Sequence, residues 1–376
     1  MIQKALGQTA ISVSAIGQGL SIGSYKTRVG RYEDQVDNIR LGISLGMTLL
    51  DTAPVYGDGH SERVVGQAVA DVRQEVCLAT KLRPGKTRPE EVEASAAESL
   101  ERTGCDVIDL LQIHWPNPDV PLADTIGAMG SLVERGVVEH IGVSNFSLAE
   151  LEEAREALPT GDIQSLQVEY NLFDRGVEDD LLPYCQEAGI TVMAYSPLHR
   201  GRIANGPDHL AVLETIAEAH GATPAQVALR WLVSHEGVVA IPNSTNPTRL
   251  KENARSADIA LTDGEIERIS SACAPKSVEM DTDRIRPARE DEEKVYRTVD
   301  QARENALGMS PSPTQLSEQI KGGEMLKPFR VTPSQEPGYY DLAEGRLRYW
   351  AWVIAFDGKR PIPVLLDESS LPEEVV

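Results

Sequence analysis

Four side chains in the first third of the chain could move protons, and each sits where an apolar run ends. Asp51 and Tyr56 lie in "LLDTAPVYGDGHSE", Lys81 closes "VCLATK", and His114 follows "LLQI" in "LLQIHW". A lysine closing an apolar run is out of place in a core unless a carboxylate neutralises it, and Asp51 is the obvious partner. A carboxylate, an ammonium, a phenol and an imidazole brought together would make a proton-transfer site.

What must position them is a repeating architecture. Eight apolar runs, "AIGQGL", "MTLLDTA", "VCLATKL", "VIDLLQIHW", "HIGVSNF", "LQVEYNLF", "TVMAYSPL" and "VVAIP", alternate with amphipathic stretches. "YEDQVDNIRLGISLG", "RPEEVEASAAESLERTG", "ADTIGAMGSLVERG" and "SLAELEEAREAL" carry apolar residues at three and four spacing, with Gly near several ends. The alternation predicts an α/β fold, a (β/α)8 TIM barrel, over roughly residues 15–257; a doubly wound open sheet is the runner-up, and "AIGQGLSIG" lacks its full glycine spacing. "KALGQTAISVS" reads as a hairpin closing the barrel floor, with "LGQT" at its turn. In such a barrel the carboxyl ends of the strands carry the active site. Asp51, Lys81 and His114 then end strands two, three and four, and Tyr56 lies in the loop after strand two.

Composition narrows the function. The 376-residue chain is longer than one such barrel of ~250 residues needs, so a second, smaller domain is expected. A net charge of -22 disfavours generic binding to nucleic acid or an anionic membrane. Cys77, Cys105, Cys185 and Cys273 are far apart with no metal-ligand spacing and read as reduced thiols of a cytoplasmic protein, with no metal site. No signal peptide and no run of ~18 apolar residues is evident.

At these residues the chain resembles the aldo-keto reductase family over roughly residues 2–275. The likeness rests on "LLDTAPVYGDGHSE", "LATKL", "LLQIHWP", "IGVSNF", "QVEYNLF", "MAYSPL" and "IPNSTNPTRLKEN", in order. It implies a catalytic tetrad of Asp51, Tyr56, Lys81 and His114, the cofactor NADPH, and reduction of aldehydes or ketones to alcohols. The residue types suit that chemistry. Hydride transfer to a carbonyl carbon leaves an alkoxide that needs a proton, and a phenol with a pKa of ~10 donates better if an ammonium beside it favours the phenolate. Lys81 is expected to lower Tyr56 in this way, Asp51 to balance Lys81, and His114 to orient the carbonyl oxygen.

The resemblance further implies that Ser144, Asn145 and Gln167 bind the nicotinamide carboxamide, that Tyr195 stacks on its ring, and that Ser196 and Leu198 lie near the pyrophosphate. In "IPNSTNPTRLKEN", Asn246 and Pro247 read as an N-cap and first helical residue, and the helix N-terminus they open is an anion site. Arg249 and Asn253, four apart, share a face suited to the adenosine 2'-phosphate and the adenine, with Ser244 adding a hydroxyl. Many NADPH-binding members carry a Lys where Asn243 stands, which leaves NADH open. Substrate specificity is expected in "SYKTRVGRY" and "HWPNPDVPL", where Tyr25 and Trp115 would line the pocket.

The last hundred residues contain an apolar helix, strand-like runs and two tryptophans, too much core for a solvated tail. Residues 276–376 are expected to form a smaller α+β domain that resembles the ParB-like superfamily, which includes sulfiredoxin-type folds. The likeness rests on "VEMDTDRIRPARE", "LSEQIKGGEMLKPFRVT" and "YYDLAEGRLRYWAWVIAFDGKRPIPVLL". It implies a candidate nucleotide phosphate site at Gly345, Arg346 and Arg348, a G-x-x-R turn opening a helix, for ATP or CTP. No cysteine follows Cys273, so sulfiredoxin chemistry is not expected, and acids outnumber bases from residue 277 onward, so DNA binding is not expected either. The leading expectation is a carbonyl reductase whose second domain shapes, covers or regulates the site. The alternative is an NADPH- or nucleotide-sensing protein with little turnover.

Overall fold

The computed structural model describes residues 1–22, 31–158, 160–205, 211–273, 277–287, 295–309, 312–322, 329–334 and 336–366; Tyr25 lies outside them. The chain divides into two compact units, Met1–Cys273 and Ala274–Val376.

In the first unit the apolar runs become eight strands: β1 (Gln18–Gly19), β2 (Leu49–Asp51), β3 (Cys77–Lys81), β4 (Ile108–Ile113), β5 (Val138–Ser144), β6 (Ile163–Glu169), β7 (Thr191–Tyr195) and β8 (Val238–Ala240). They pair in parallel and in chain order. Parallel strands covered on both faces read as continuous apolar stretches, which is why the pattern lacks alternation. The sheet also closes on itself. Ala240 N–H donates to Ala15 O at 2.9 Å, Gly17 N–H to Ala240 O at 2.8 Å and Gly19 N–H to Pro242 O at 3.1 Å. Glycine is needed along this seam, since a Cβ on Gly17 would lie 2.7 Å from Leu49 O and one on Gly19 would lie 2.5 Å from Ile241 O.

The expected hairpin pairs Gln3–Ala5 with Ser12–Ser14. Its Leu6 and Val13 are fully buried in one cluster with Leu49, Leu110, Met193 and Val239 from four strands. The hairpin therefore plugs the amino end of the barrel with apolar side chains. Outside the strands, helices such as Pro89–Thr103 and Leu181–Ala188 end on Gly104 and Gly189 in the left-handed conformation, as the glycine placement predicts. Cys77, Cys185 and Cys273 are buried and unbridged, and Cys105 is half-buried and also free.

The second unit has a mixed five-stranded sheet in the order Ser277–Met280, Ile362–Leu366, Phe329–Pro333, Tyr340–Glu344, Ile285–Arg286. Helix Arg346–Phe356 supplies Tyr349 and Trp350 to a core shared with Phe329, Val331, Ile362 and Val364. Both aromatics satisfy their polar atoms: Tyr349 donates to Thr282 O at 3.1 Å and the Trp350 indole to Tyr296 O at 3.2 Å.

Candidate active site

Among the described residues Lys81 is the largest charged side chain with no solvent exposure at all, and its surroundings account for that. Its Nζ donates to both carboxylate oxygens of Asp51 at 2.7 Å and to Thr52 O at 3.0 Å. Asp51 is equally well satisfied, because its Oδ1 also accepts from Gln167 Nε2 at 2.7 Å and Gln112 Nε2 at 3.3 Å. Burial favours the neutral amine, but Asp51 and Tyr56 outweigh it and hold Lys81 above the usual lysine range.

Tyr56 lies above this pair, with Lys81 Nζ 5.4 Å from its ring centroid. Its loop is fixed from behind. Ser61 Oγ is 2.7 Å from Thr52 Oγ1 and donates to Leu20 O at 2.5 Å. Next along the helix, fully buried Glu62 accepts from Thr80 Oγ1 at 2.7 Å and from Arg102 Nε at 2.5 Å, so helix His60–Val69 is tied to β3 and to helix Pro89–Thr103. Burial pushes the Tyr56 phenol up, and the downward pull of Lys81 does not overcome it. The expectation that Lys81 brings the phenol below its ordinary value is thus corrected: desolvation is the larger effect in the free protein.

The His114 imidazole stands edge-on to Tyr56, with ring centroids 6.0 Å apart and planes at 87°. Burial and the Lys81 charge lower it to about 3, so at neutral pH it is an uncharged ring. Its Nδ1 is buried without a hydrogen-bond partner among the described residues. A neutral imidazole can polarise an oxygen by donating one N–H without competing for the proton Tyr56 carries.

Around this floor the remaining predicted residues line one cavity of about 880 Å³ that reaches from Asp51, Tyr56 and His114 to Arg249 and Asn253. Ser144, Asn145, Gln167, Tyr195, Ser196, Leu198 and Ser244 all border it, as does Trp115, which is half exposed. Asn145 is held by three contacts: its Nδ2 donates to His114 O and Ser144 Oγ, both at 3.0 Å, and its Oδ1 accepts from Tyr195 OH at 2.9 Å. Those bonds hold Asn145 in the left-handed conformation, φ 62°. Gln167, expected to face a carboxamide, gives an amide proton to Asp51 through its Nε2. At the outer end Asn246 caps helix Pro247–Arg255, its side chain accepting from Thr248 N at 2.9 Å and Arg249 N at 3.4 Å, with Pro247 in the first turn.

Four contributors went unremarked in the sequence. Gln112 is two residues before His114 and Glu169 two after Gln167, so the twofold alternation of a strand marks both as sharing a face with a site residue. Glu62 lies in the turn "GDGHSE", but its partner Arg102 is forty residues away and invisible to any local pattern. Arg200 follows "AYSPLH" and meets Glu169. In the second unit, Gly345, at φ 95°, precedes helix Arg346–Phe356 and follows strand Tyr340–Glu344, the order the G-x-x-R reading requires. Among the described residues there is no cluster of metal-ligating side chains, and no helix is long and apolar enough to cross a membrane.

Comparison with known proteins bears on the first unit. The profile of the aldo/keto reductase family matches residues 16–274. Methylglyoxal reductase YeaE of Escherichia coli (strain K12) is 38% identical over 269 residues, which are 71% of this chain and 93% of that protein. Among solved structures, a thermostable aldo-keto reductase bound to the inhibitor epalrestat superposes with a TM-score of 0.69 at 38% identity, covering 72% of this chain and 100% of that one. An aldo/keto reductase from Klebsiella pneumoniae in complex with NADP and acetate gives 0.64 at 35% identity, covering 70% and 93%.

Proposed function

Because this chain belongs to the aldo/keto reductase family, we propose that it is an NADPH-dependent oxidoreductase that reduces an aldehyde or ketone to an alcohol, with Tyr56 as the proton donor. The observation that carries the reading is the buried Asp51–Lys81 pair directly beneath a phenol that opens into the same cavity as Arg249. The cavity suits a dinucleotide: a polar floor over the buried Asp51–Lys81 pair at one end, a helix N-terminus with Arg249 at the other, and amide and hydroxyl groups of Ser144, Asn145 and Gln167 at the wall. The bound nicotinamide supplies the hydride.

The chain's own residues do the rest. His114, uncharged, donates a hydrogen bond to the substrate oxygen and fixes its direction; Tyr56 hands its proton to that oxygen as negative charge builds there. Lys81 then stabilises the phenolate left behind, and Asp51 keeps the ammonium from leaving its place. Gln167 has its Nε2 on Asp51 and its carbonyl oxygen left to accept from an amide of the cofactor, so one side chain serves both. With the phenol held above its ordinary range, reduction persists through neutral pH and falls only in alkali as Tyr56 loses its proton.

The test is oxidation of NADPH over an aldehyde and ketone panel that begins with methylglyoxal. Tyr56→Phe should cost roughly 10² to 10⁴ in turnover with NADPH binding kept; a fully active variant would sink the assignment. For the second unit the proposal is a ParB-like fold with a nucleotide phosphate on the Gly345 turn, at Arg346 and Arg348. ATP or CTP binding by the full-length chain, lost on Arg348→Gln, would support a sensing role beside catalysis. A chain ending at residue 276 that keeps its carbonyl specificity and turnover would remove that unit from the reaction.

A further inference from the structure

Along β6, Gln167 and Glu169 point to the same face of the strand. Gln167 reaches down to Asp51, and Glu169, one step further out, meets Arg200 with a guanidinium nitrogen 3.3 Å from its Oε2. Both partners border the cavity that holds Tyr56 and Arg249. Among the described residues that line it, Arg200 and Arg249 are the two permanent cations. The chain as a whole carries -22, so an anionic ligand entering this cavity has few positive groups to meet.

The Arg200 pair is built to be broken. The arginine side chain is 66% exposed against 22% for Glu169, and an exposed ion pair with one long contact is held weakly. That single contact leaves most of the guanidinium's five donors for another acceptor. The backbone beneath is unusual as well. Ser196, His199 and Arg200 have φ of 48°, 47° and 55°, three left-handed non-glycine residues in one short turn, a conformation that persists only where the surroundings impose it.

We infer that Glu169 competes internally with the cofactor's pyrophosphate for the Arg200 guanidinium. In the free protein it holds Arg200 over the cleft; on binding, the pyrophosphate oxygens take the guanidinium from it by charge-assisted hydrogen bonds. Arg249, at the outer end, is left to the terminal 2'-phosphate. Glu169 therefore limits cofactor affinity, and Arg200 supplies it without regard to whether the 2'-phosphate is present.

This inference rests on the NADPH reading, and one set of titrations separates the two. Trp115 borders the cavity, so quenching of tryptophan fluorescence in the full-length protein reports binding directly. Wild-type protein that binds no NADPH refutes the reading itself and the inference with it. If it binds, Arg200→Gln should weaken NADPH and NADH alike, by about tenfold, with a shallower salt dependence than wild type. Glu169→Gln should tighten both by roughly threefold. Arg249→Gln should weaken NADPH alone. An Arg200→Gln loss confined to NADPH would move the guanidinium to the 2'-phosphate, and unchanged affinity would remove it from the cofactor. Weaker binding in Glu169→Gln would make Glu169 a support for Arg200. Each of these three results overturns the inference while leaving the reductase reading intact.

Discussion

At its inner end the cavity rests on Asp51 and Lys81, whose side chains are 3% and 0% exposed; at its outer end Asn246 and Arg249 stand in solvent. The same charges behave differently at the two ends. Without water a charge must be matched atom by atom, and Asp51 and Lys81 are so matched, which makes the inner end sensitive to any deletion and deaf to salt. In water the outer charge is screened, so it tunes affinity without deciding chemistry. In the proposed function a single cleft thus separates what reacts from what binds.

The contrast can be broken most forcefully from within. Lys81→Met should leave Asp51 buried and unpaired, costing about 3 to 5 kcal/mol in urea unfolding as well as turnover. Adding Asp51→Asn should return much of that stability and none of the activity; a Lys81→Met protein as stable as wild type would mean the floor is wet. A pH series sharpens the same point. The His114 ring is at about 3 when folded and near 6.5 when unfolded, so between those values the unfolded chain takes up the proton that the native state refuses. Stability should therefore fall as pH drops through 6.5, by up to ~1.4 kcal/mol per unit from this group, and His114→Asn should flatten that part of the curve. At the wet end the effects shrink. Arg249→Gln should weaken NADPH by about tenfold at low salt and by less as salt rises. Asn246→Ala should cost about 1 kcal/mol of stability, with turnover at saturating cofactor unchanged.

How much of this was legible depended on distance along the chain. Continuous apolar runs announced the parallel strands because such strands are covered on both faces, and a charge at the end of a run, as at Asp51 and Lys81, then stood out. The cap at Asn246 and Pro247 was legible for the same local reason. What escaped were the partners brought from elsewhere: Gln112 and Gln167 on Asp51, Arg102 on Glu62, Arg200 on Glu169. The direction of the Tyr56 shift was misjudged because a sequence displays the neighbouring ammonium but not the depth of burial, and burial is the larger effect. In the second unit, strands as short as Ile285–Arg286 leave little periodic signal, and the sheet order crosses the chain rather than following it.

The seam between β1 and β8 has a bearing on time. Ala15 and Gly17 bond to Ala240, and Gly19 to Pro242, so the ring of strands cannot be completed until nearly the whole first unit has left the ribosome. Asp51 and Lys81, on adjacent strands, can meet early, whereas Asn246 and Arg249 arrive only with the last segment. Contacts of such long sequence separation slow folding, since the loop must be closed before the contact rewards it. The outer end of the cleft, at Asn246 and Arg249, is consequently the last to be assembled, and a nascent chain would carry Asp51, Tyr56 and Lys81 well before that end of the cavity existed.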